Sequence, residues 1–277
     1  MLEFLKVILL GIVEGITEWL PISSTGHMII LDEIIHLNVS EEFMTMFRVV
    51  IQLGAILAVV VLHWNRIWPF RFREAKQNGG TFYKKDRIIL WCKILVSCVP
   101  AVIFGLLLDD WLDEHLYTYP VVALMLIIYG VLFLVVENRN RGRKASIRKA
   151  EAIGYKEALI VGGFQVLSLI PGTSRSGATI LGGISIGMSR RAAAEYSFFL
   201  GIPVMFGASF LKILKFGFHY TALEAAYLIV GMAVAFVVSI FVIRGIIGYI
   251  RRHNFKIFGL YRIVLGIIVL LFFLLRR

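Results

Sequence analysis

Charged side chains are scarce in this sequence. Of its 277 residues only 17% are charged and 59% are hydrophobic, and the mean hydropathy is +0.83. A soluble domain has about a quarter charged residues and close to half apolar residues. The composition therefore excludes an ordinary soluble domain and predicts an integral membrane protein with a single membrane domain over residues 1–277.

Other common features are missing as well. The only two cysteines, Cys92 and Cys98, lie six positions apart in one apolar run, so they share no helix face and form no disulfide or metal pattern. Long apolar runs that alternate with polar loops indicate helices and exclude a β-barrel. A typical cleaved signal peptide is not expected, because Glu14 and Glu18 lie within or beside the first apolar region.

The net charge of +11 does not indicate a nucleic-acid partner, because the basic residues are confined to short segments. Twenty of the 29 lysines and arginines lie in residues 66–87, 139–156, 190–191 and 244–256. Short basic loops mark the cytoplasmic side of a membrane protein and contact lipid head groups. We therefore expect these segments to face the cytoplasm, both termini to lie outside, and membrane lipids to be partners.

Six apolar runs are long enough to cross a bilayer, which takes about 20 residues or somewhat fewer in thin regions. Two further apolar regions, residues 2–35 and 158–188, are broken in the middle at residues 21–26 and 171–177. Each half of these regions is too short or too polar to span, so each region is predicted to enter the membrane and return by the same face. The six predicted spans are residues 49–63, 88–108, 121–136, 196–214, 222–243 and 255–275.

The two halves of the chain repeat weakly. Each half, about residues 1–140 and 155–277, holds a broken pair followed by three spans, so the halves have opposite orientations. We predict an all-α integral membrane protein with six transmembrane helices and two re-entrant helix–loop–helix pairs in an inverted-topology repeat. A shift of 151 positions aligns Gly11 with Gly162, Ser23 with Ser174 and Gly26 with Gly177.

The first break concentrates polar groups. Glu14 and Glu18 are four residues apart and share a helix face, and an ionisable group at membrane depth costs about 3 kcal/mol, so it usually marks function. Pro21 ends or kinks this helix, and His27 falls in the first turn of the next one. The start of that helix favours an anion through its free N–H groups, and its candidate N-caps are Ser23, Ser24 and Thr25.

The second break supplies a cation. Arg175 has the side chain best shaped to hold phosphate oxygens, and it is surrounded by three hydroxyl residues, Thr173, Ser174 and Ser176. Two breaks brought together would form a pocket suited to phosphoryl transfer, where catalysis is mostly positioning and charge stabilisation. The carboxylates of Glu14 and Glu18 are candidate ligands of a divalent metal that bridges phosphate oxygens.

The same residues have simpler interpretations. The small and hydroxyl residues could serve packing or capping, and His27 could be structural. Arg175 could neutralise Glu14 or Glu18 as a buried ion pair. The concentration of all these groups at two breaks in an apolar chain favours a chemical site.

Two motifs carry a resemblance to a known family. Residues 14–27 read EGITEWLPISSTGH and residues 171–177 read PGTSRSG, and both closely resemble the motifs of bacterial undecaprenyl-diphosphate phosphatases, also called bacitracin-resistance proteins. Residues 50–58 (VIQLGAILA) and 195–203 (EYSFFLGIP) are similar to the same family. The resemblance covers essentially the whole chain in order.

The resemblance implies hydrolysis of the prenyl diphosphate lipid undecaprenyl diphosphate to undecaprenyl phosphate and phosphate. This reaction recycles the carrier lipid for peptidoglycan synthesis and confers bacitracin resistance. The family's six spans and two re-entrant pairs are also expected, as are a homodimer, a site open to the outer face of the bacterial inner membrane, and a need for Mg²⁺ or Ca²⁺.

By matching position, Glu14 and Glu18 resemble the family's glutamate pair, and Arg175 resembles its phosphate-binding arginine. We predict four catalytic residues, Glu18, Ser24, His27 and Arg175. The predicted substrate-binding residues are Glu14, Ser23, Thr25, Thr173, Ser174 and Ser176, and the predicted metal ligands are Glu14 and Glu18. The nucleophile stays open between Ser24, His27 and water.

Two other functions fit parts of the sequence. A transporter or flippase of an anion or prenyl phosphate also uses inverted repeats with broken helices, although it needs no nucleophile. A second lipid-phosphatase superfamily has a Ser-Gly-His motif that residues 24–27 partly match. That family also needs a downstream His–Asp pair, which does not follow Ser189 and Arg190 at a suitable spacing.

Overall fold

The computed structural model describes residues 1–70, 82–217 and 220–275, and within these ranges the chain forms helices and no β-sheet. Its α-helices are α1 (Leu2–Thr17), α2 (Ser24–Ile34), α3 (Glu41–Leu62), α4 (Trp64–Ile67), α5 (Lys85–Leu116), α6 (Tyr119–Arg139), α7 (Tyr155–Val166), α8 (Arg175–Ser185), α9 (Arg190–Phe216), α10 (Ala222–Tyr249) and α11 (Lys256–Leu275). Single 3₁₀ turns lie at Ala150–Ala152 and Leu167–Leu169.

Six of the described helices are long and apolar enough to cross a membrane, and they correspond to the six predicted spans. The prediction of a multi-pass helical membrane protein is therefore confirmed. Several helices begin or end a few residues beyond the predicted runs, because polar residues at a helix end can remain helical without adding hydropathy. The two largest extensions are equal in length: α3 begins at Glu41 rather than residue 49, and α5 continues beyond residue 108 to Leu116.

The outer faces of the spanning helices are apolar. For example, the apolar side chains of Leu106 and Leu107 in α5 are 70% and 73% exposed. The interior of the bundle is closed by large side chains such as Trp19, Phe133 and Phe198, which are fully buried. Helices in a membrane are expected to be apolar both on the face toward the bundle interior and on the face toward the lipid hydrocarbon.

Small residues allow close helix packing in both halves. A β-carbon at Gly54 of α3 would overlap the backbone of Met232 in α10, and one at Gly162 of α7 would overlap the backbone of Ser97 in α5. Membrane helices associate through such small-residue contacts, because burial against lipid gives no hydrophobic driving force. These contacts hold α3 against α10 and α7 against α5.

The predicted basic segments meet at one end of the bundle, which we call the basic end. Arg66 forms ion pairs with Glu151 and Glu195, and Arg190 forms one with Glu137. The backbone N–H of Phe255 also donates to Glu137. The starts of α9 and α11 therefore lie beside the end of α6.

Aromatic contacts mark the opposite end. Tyr119, at the start of α6, stacks on Phe273 near the end of α11, and Phe4 of α1 contacts Tyr227 near the start of α10. The hydroxyl of Ser239 in α10 donates to the carbonyl of Gly15. Helix α1 therefore runs alongside α10 from this end and stops beside the middle of α10.

Candidate active site at the two helix breaks

The two breaks in the sequence contact each other inside the bundle. The hydroxyl of Ser176 donates to the carbonyl oxygen of Glu18 at 3.0 Å. The guanidinium Nη2 of Arg175 lies 3.1 Å from Glu18 Oε1, and both side chains are only about a tenth exposed. Residues 157 positions apart thus form one buried polar cluster.

The local backbone explains how each break presents its side chains. Helix α1 ends at Thr17, four residues before Pro21, which has no N–H to donate to the Thr17 carbonyl, and α2 begins at Ser24. Ser23 is the N-cap of α2, with its side chain accepting from the N–H of Gly26 at 3.4 Å. Its φ of 72° is unusual for a serine and turns the chain sharply into α2.

The second break repeats this geometry. Ser174 is the N-cap of α8, has a φ of 71°, and accepts from the N–H of Gly177 at 3.2 Å. Its hydroxyl also contacts that of Ser176 at 3.1 Å. The predicted capping role is therefore found at Ser23 and Ser174, whereas Ser24 and Arg175 are the first residues of their helices.

Glu18 is the centre of the cluster. It follows α1 with helical dihedrals, and its N–H donates to the carbonyl of Glu14, so the two glutamates keep the predicted one-turn spacing. Its Oε2 accepts from the Ser24 hydroxyl at 3.3 Å, while its Oε1 faces Arg175. The carboxylate thus lies between a hydroxyl of the first break and the cation of the second.

His27 is held in a defined orientation. Its Nδ1 lies 2.7 Å from the carbonyl oxygen of Ser23, which can only accept, so Nδ1 carries the proton. Its Nε2 lies 2.7 Å from the hydroxyl of Tyr261, and the two rings are stacked. In the neutral ring Nε2 is then the acceptor, and Tyr261 donates to it.

Arg175 is positioned by α9. Its Nη1 donates to the carbonyl of Ser197 at 2.8 Å, and a β-carbon at Gly201 would lie 2.9 Å from the guanidinium. The guanidinium therefore lies directly on the α9 backbone. These contacts give a structural role to the motif at residues 195–203.

Arg262 ties the two breaks together. It is fully buried, its Nη1 donates to the carbonyl of Pro21 at 3.3 Å, and its Nη2 donates to the carbonyls of Gly172 and Thr173 at 2.8 and 2.9 Å. The guanidinium also lies 5.4 Å from the ring centroid of Tyr129. One side chain of α11 thus satisfies backbone carbonyls of both breaks.

Sequence reasoning did not assign Arg262 or Tyr261 to the site. A charged residue within the last apolar run was a usable signal for Arg262, since such residues are costly in a membrane. Tyr261 carried no comparable signal, because tyrosines are common in spanning helices.

The predicted site residue Thr25 lies in the first turn of α2, and Thr173 is fully buried at the second break.

Several buried polar atoms near the breaks have no hydrogen-bond partner within the described ranges. An unpaired polar group costs several kcal/mol in an apolar environment, so a hydrogen bond from each of these atoms to water or to a ligand would be stabilising. The unpartnered atoms in the two broken regions are Glu14 Oε1, Trp19 Nε1, Thr173 Oγ1, Arg175 Nε and the side-chain Oε1 and Nε2 of Gln165.

The carboxylates fit a divalent cation only in part. No group of three or more His, Cys, Asp or Glu side chains that could enclose a metal occurs among the described residues. Glu14 and Glu18 alone supply two carboxylates, and Mg²⁺ is commonly held by one or two carboxylates together with waters and substrate phosphates. The free Oε1 of Glu14 is consistent with this kind of shared site.

Comparison with known proteins identifies the family. The family model described as bacitracin resistance protein BacA matches residues 7–268. An undecaprenyl-diphosphatase of Enterococcus faecalis is 62% identical over 270 residues, covering 98% of this chain and 97% of the relative. Undecaprenyl-diphosphatases of Acetivibrio thermocellus and Desulfitobacterium hafniense are 60% and 57% identical over 274 residues, each covering 99% of this chain and, respectively, 99% and 97% of the relative. The chain belongs to the bacitracin resistance protein BacA family.

Proposed function

We propose that the protein hydrolyses undecaprenyl diphosphate to undecaprenyl phosphate and inorganic phosphate. The observation that carries this proposal is the polar cluster of Arg175, Glu18 and Ser24 where the two breaks meet. The full-length relatives named as undecaprenyl-diphosphatases support the same substrate. The activity recycles the carrier lipid for peptidoglycan synthesis and removes the target of bacitracin.

Arg175 binds the diphosphate. Two of its nitrogens bond Ser197 and Glu18, whereas its Nε is buried and unpartnered and can donate to a phosphate oxygen. The ion pair with Glu18 keeps the guanidinium compensated before substrate arrives, since an isolated buried charge is costly. The backbone N–H groups at the starts of α2 and α8 add further donors.

Ser24 attacks the terminal phosphorus. Glu18 accepts the Ser24 proton through their hydrogen bond, a bond forms between Ser24 Oγ and phosphorus, and the bond to the bridging oxygen breaks. Undecaprenyl phosphate leaves with the electron pair. Water then attacks the phosphorus of the phosphoserine, the bond between phosphorus and Ser24 Oγ breaks, phosphate departs, and the proton held by Glu18 returns to Ser24 Oγ. Ser24 is favoured over His27 because the His27 Nε2 already accepts from Tyr261.

We propose that Glu14 and Glu18 hold a divalent cation, Mg²⁺ or Ca²⁺, together with the diphosphate. When bound, the cation would neutralise charge on the phosphate oxygens. The buried and unpartnered Oε1 of Glu14 supports this assignment. Glu18 retains its role as the proton acceptor of Ser24.

We further propose that α1–α2 and α7–α8 are re-entrant pairs in an inverted repeat. The four helices have 11 to 16 residues, fewer than the about 20 that cross a bilayer. The helix contacts are also matched, because α1 lies against α10 as α7 lies against α5, and α8 lies against α6 as α2 lies against α11. The basic end would face the cytoplasm of the bacterial inner membrane, with the site open to the outer face.

Phosphate release from undecaprenyl diphosphate by purified protein in detergent tests the activity. We expect divalent-cation-dependent release that falls at least about a hundredfold in Ser24→Ala and Arg175→Ala, as for loss of a group that stabilises charge in the transition state. Ser40→Ala, which removes the N-cap serine of α3, is the control and should keep full activity.

Acid quenching during turnover of a substrate labelled in its terminal phosphate identifies the nucleophile. A serine phosphate survives acid, and a histidine phosphate does not. Label on acid-quenched wild type and none on Ser24→Ala would support the serine; wild-type turnover without acid-stable label would contradict it. No release by folded wild type with any divalent cation would reject the phosphatase and favour the transporter.

A further inference from the structure

A cavity opens at the basic end, beside the end of α8, whereas the second helix break lies at the start of α8. It has a volume of about 570 Å³ and lies between the end of α6, the link from α8 to α9, and the end of α10. Five basic side chains line it, namely Arg143, Lys144, Arg190, Arg191 and Arg251. This cavity plays no part in the proposed reaction.

The carboxylates near this cavity are already used. Three glutamates and three arginines form a balanced ion-pair network in two separate parts, with N–O distances below 3 Å. Arg190 pairs with Glu137 in one part, and in the other Glu195 pairs with Arg191 and Arg66, which also pairs with Glu151. The side chains of Glu137 and Glu195 are nearly buried, at 1% and 5% exposed. They therefore cannot turn outward to neutralise further cations.

Three cations of the cavity lie outside this network. Arg143, Lys144 and Arg251 are exposed and form no ion pair within the described ranges. A second cavity of about 440 Å³ shares Arg251 and adds Arg244 and His63. The region thus carries an uncompensated positive charge that an anionic ligand would neutralise.

The remaining lining indicates the kind of anion. The cavity is also lined by four apolar residues, of which Ile186 is partly exposed, whereas Ile184, Met188 and Ile250 are buried. It lies where the spanning helices α6, α9 and α10 begin or end, which is the level of lipid head groups. Basic cavities between membrane helices at this level are suited to acidic lipid head groups. A free phosphate ion would gain nothing from the apolar wall.

We propose that this cavity binds the phosphate head group of an anionic phospholipid, through Arg143, Lys144 and Arg251. The glycerol and first acyl carbons lie against Ile186, the partly exposed isoleucine of the lining. The site is separate from the proposed phosphatase site. The lipid-binding proposal therefore does not depend on the outcome of the activity measurements.

Lipid binding to delipidated full-length protein in neutral detergent tests the site. The probes are phosphatidylglycerol and phosphatidylcholine, with bound lipid counted by native mass spectrometry. We expect selective binding of phosphatidylglycerol. Arg143→Gln, Lys144→Gln and Arg251→Gln combined should weaken it about a hundredfold, because each basic residue near an acidic lipid contributes about fivefold.

A matched triple variant separates a site from general attraction. Arg148→Gln, Lys149→Gln and Lys156→Gln combined remove the same charge from the same end without touching the cavity lining. This variant should bind phosphatidylglycerol as wild type does. Equal loss in both triple variants would overturn the proposal and leave only the bulk field of the basic loops.

Inorganic phosphate distinguishes a lipid site from a soluble-anion site. At the same concentration of phosphate groups it should not displace phosphatidylglycerol. If it displaces the lipid, or if phosphatidylcholine binds equally well, the lipid head-group assignment is wrong. Both triple variants should also retain the unfolding temperature of wild type in detergent without lipid, since all six side chains are exposed.

Discussion

The two helix breaks share a backbone but differ in charge. Ser23 and Ser174 lie 151 positions apart, both have a φ near 70°, and both cap the helix that follows. The next residue is Ser24 in the first break and Arg175 in the second. The first break also has Glu18 and His27, which have no charged or titratable counterparts in the second.

The two breaks thus have similar backbones and complementary charges. Each break presents a helix start to the centre of the bundle, and one contributes the carboxylates while the other contributes the cation. A site of this kind forms only when both breaks meet, because neither break alone balances its own charge in an apolar environment. Substitutions at the two breaks test how far the breaks are equivalent and what joins them.

The largest effect is expected from Arg262→Met, which would separate the breaks. The change leaves the carbonyls of Pro21, Gly172 and Thr173 without their arginine donor, at about 1–3 kcal/mol for each unsatisfied group. We expect the free energy of unfolding in detergent to fall by about 3 kcal/mol or more. Activity should fall with it, and Arg262→Lys should recover little, because an ammonium cannot span both breaks.

Tyr261→Phe, one residue away, is the control for Arg262→Met. It removes only the hydroxyl that contacts His27, so stability should change by about 1 kcal/mol or less. If Arg262→Met unfolds no more readily than Tyr261→Phe, Arg262 does not hold the breaks together.

A smaller effect is expected from Gly201→Ala, which displaces the cation of the second break. The added methyl group would lie 2.9 Å from the Arg175 guanidinium, so the side chain must shift away from Ser197. A small misplacement of a positioning group can cost about a hundredfold in rate, and we expect kcat to fall about tenfold to a hundredfold with little change in unfolding temperature. Gly207→Ala on the same helix meets no atom within 4 Å and should be silent; equal effects would contradict the assignment.

The smallest effect should come from the two capping serines. Ser23→Ala and Ser174→Ala each remove an N-cap and should each cost about 1 kcal/mol, whereas the glycine variants should cost only a few tenths because glycine accepts positive φ. Unfolding in detergent measures all four variants. A difference of more than about 1 kcal/mol between the two positions would show that the breaks are not equivalent scaffolds.

Much of this arrangement was predictable from local sequence. Apolar runs predicted the six spans, because length and hydropathy are properties of a segment alone. The capping serines and the one-turn spacing of Glu14 and Glu18 also follow from local rules, and both are found in the structure. The predicted meeting of the two breaks does not follow from a local rule, since Glu18 and Arg175 lie 157 positions apart, and their ion pair is the one that the simpler interpretation of Arg175 described.

Other features had no local signal. The contacts of Arg175 with Ser197 and Gly201 depend on how α9 lies against α8. The hydrogen bond between His27 and Tyr261 depends on α11 lying against α2. Long-range packing decides such contacts, and propensity and periodicity carry no information about them.

The sequence by itself determined that this is a helical membrane protein with two broken segments rich in phosphate-binding chemistry. It did so because hydropathy, helix breaks and residue types act over short stretches of chain. Only the tertiary structure decided that Arg262 joins the breaks, that Ser24 rather than His27 contacts Glu18, and that the basic loops enclose a cavity. These outcomes depend on which helices pack together, and that choice is a property of the whole bundle.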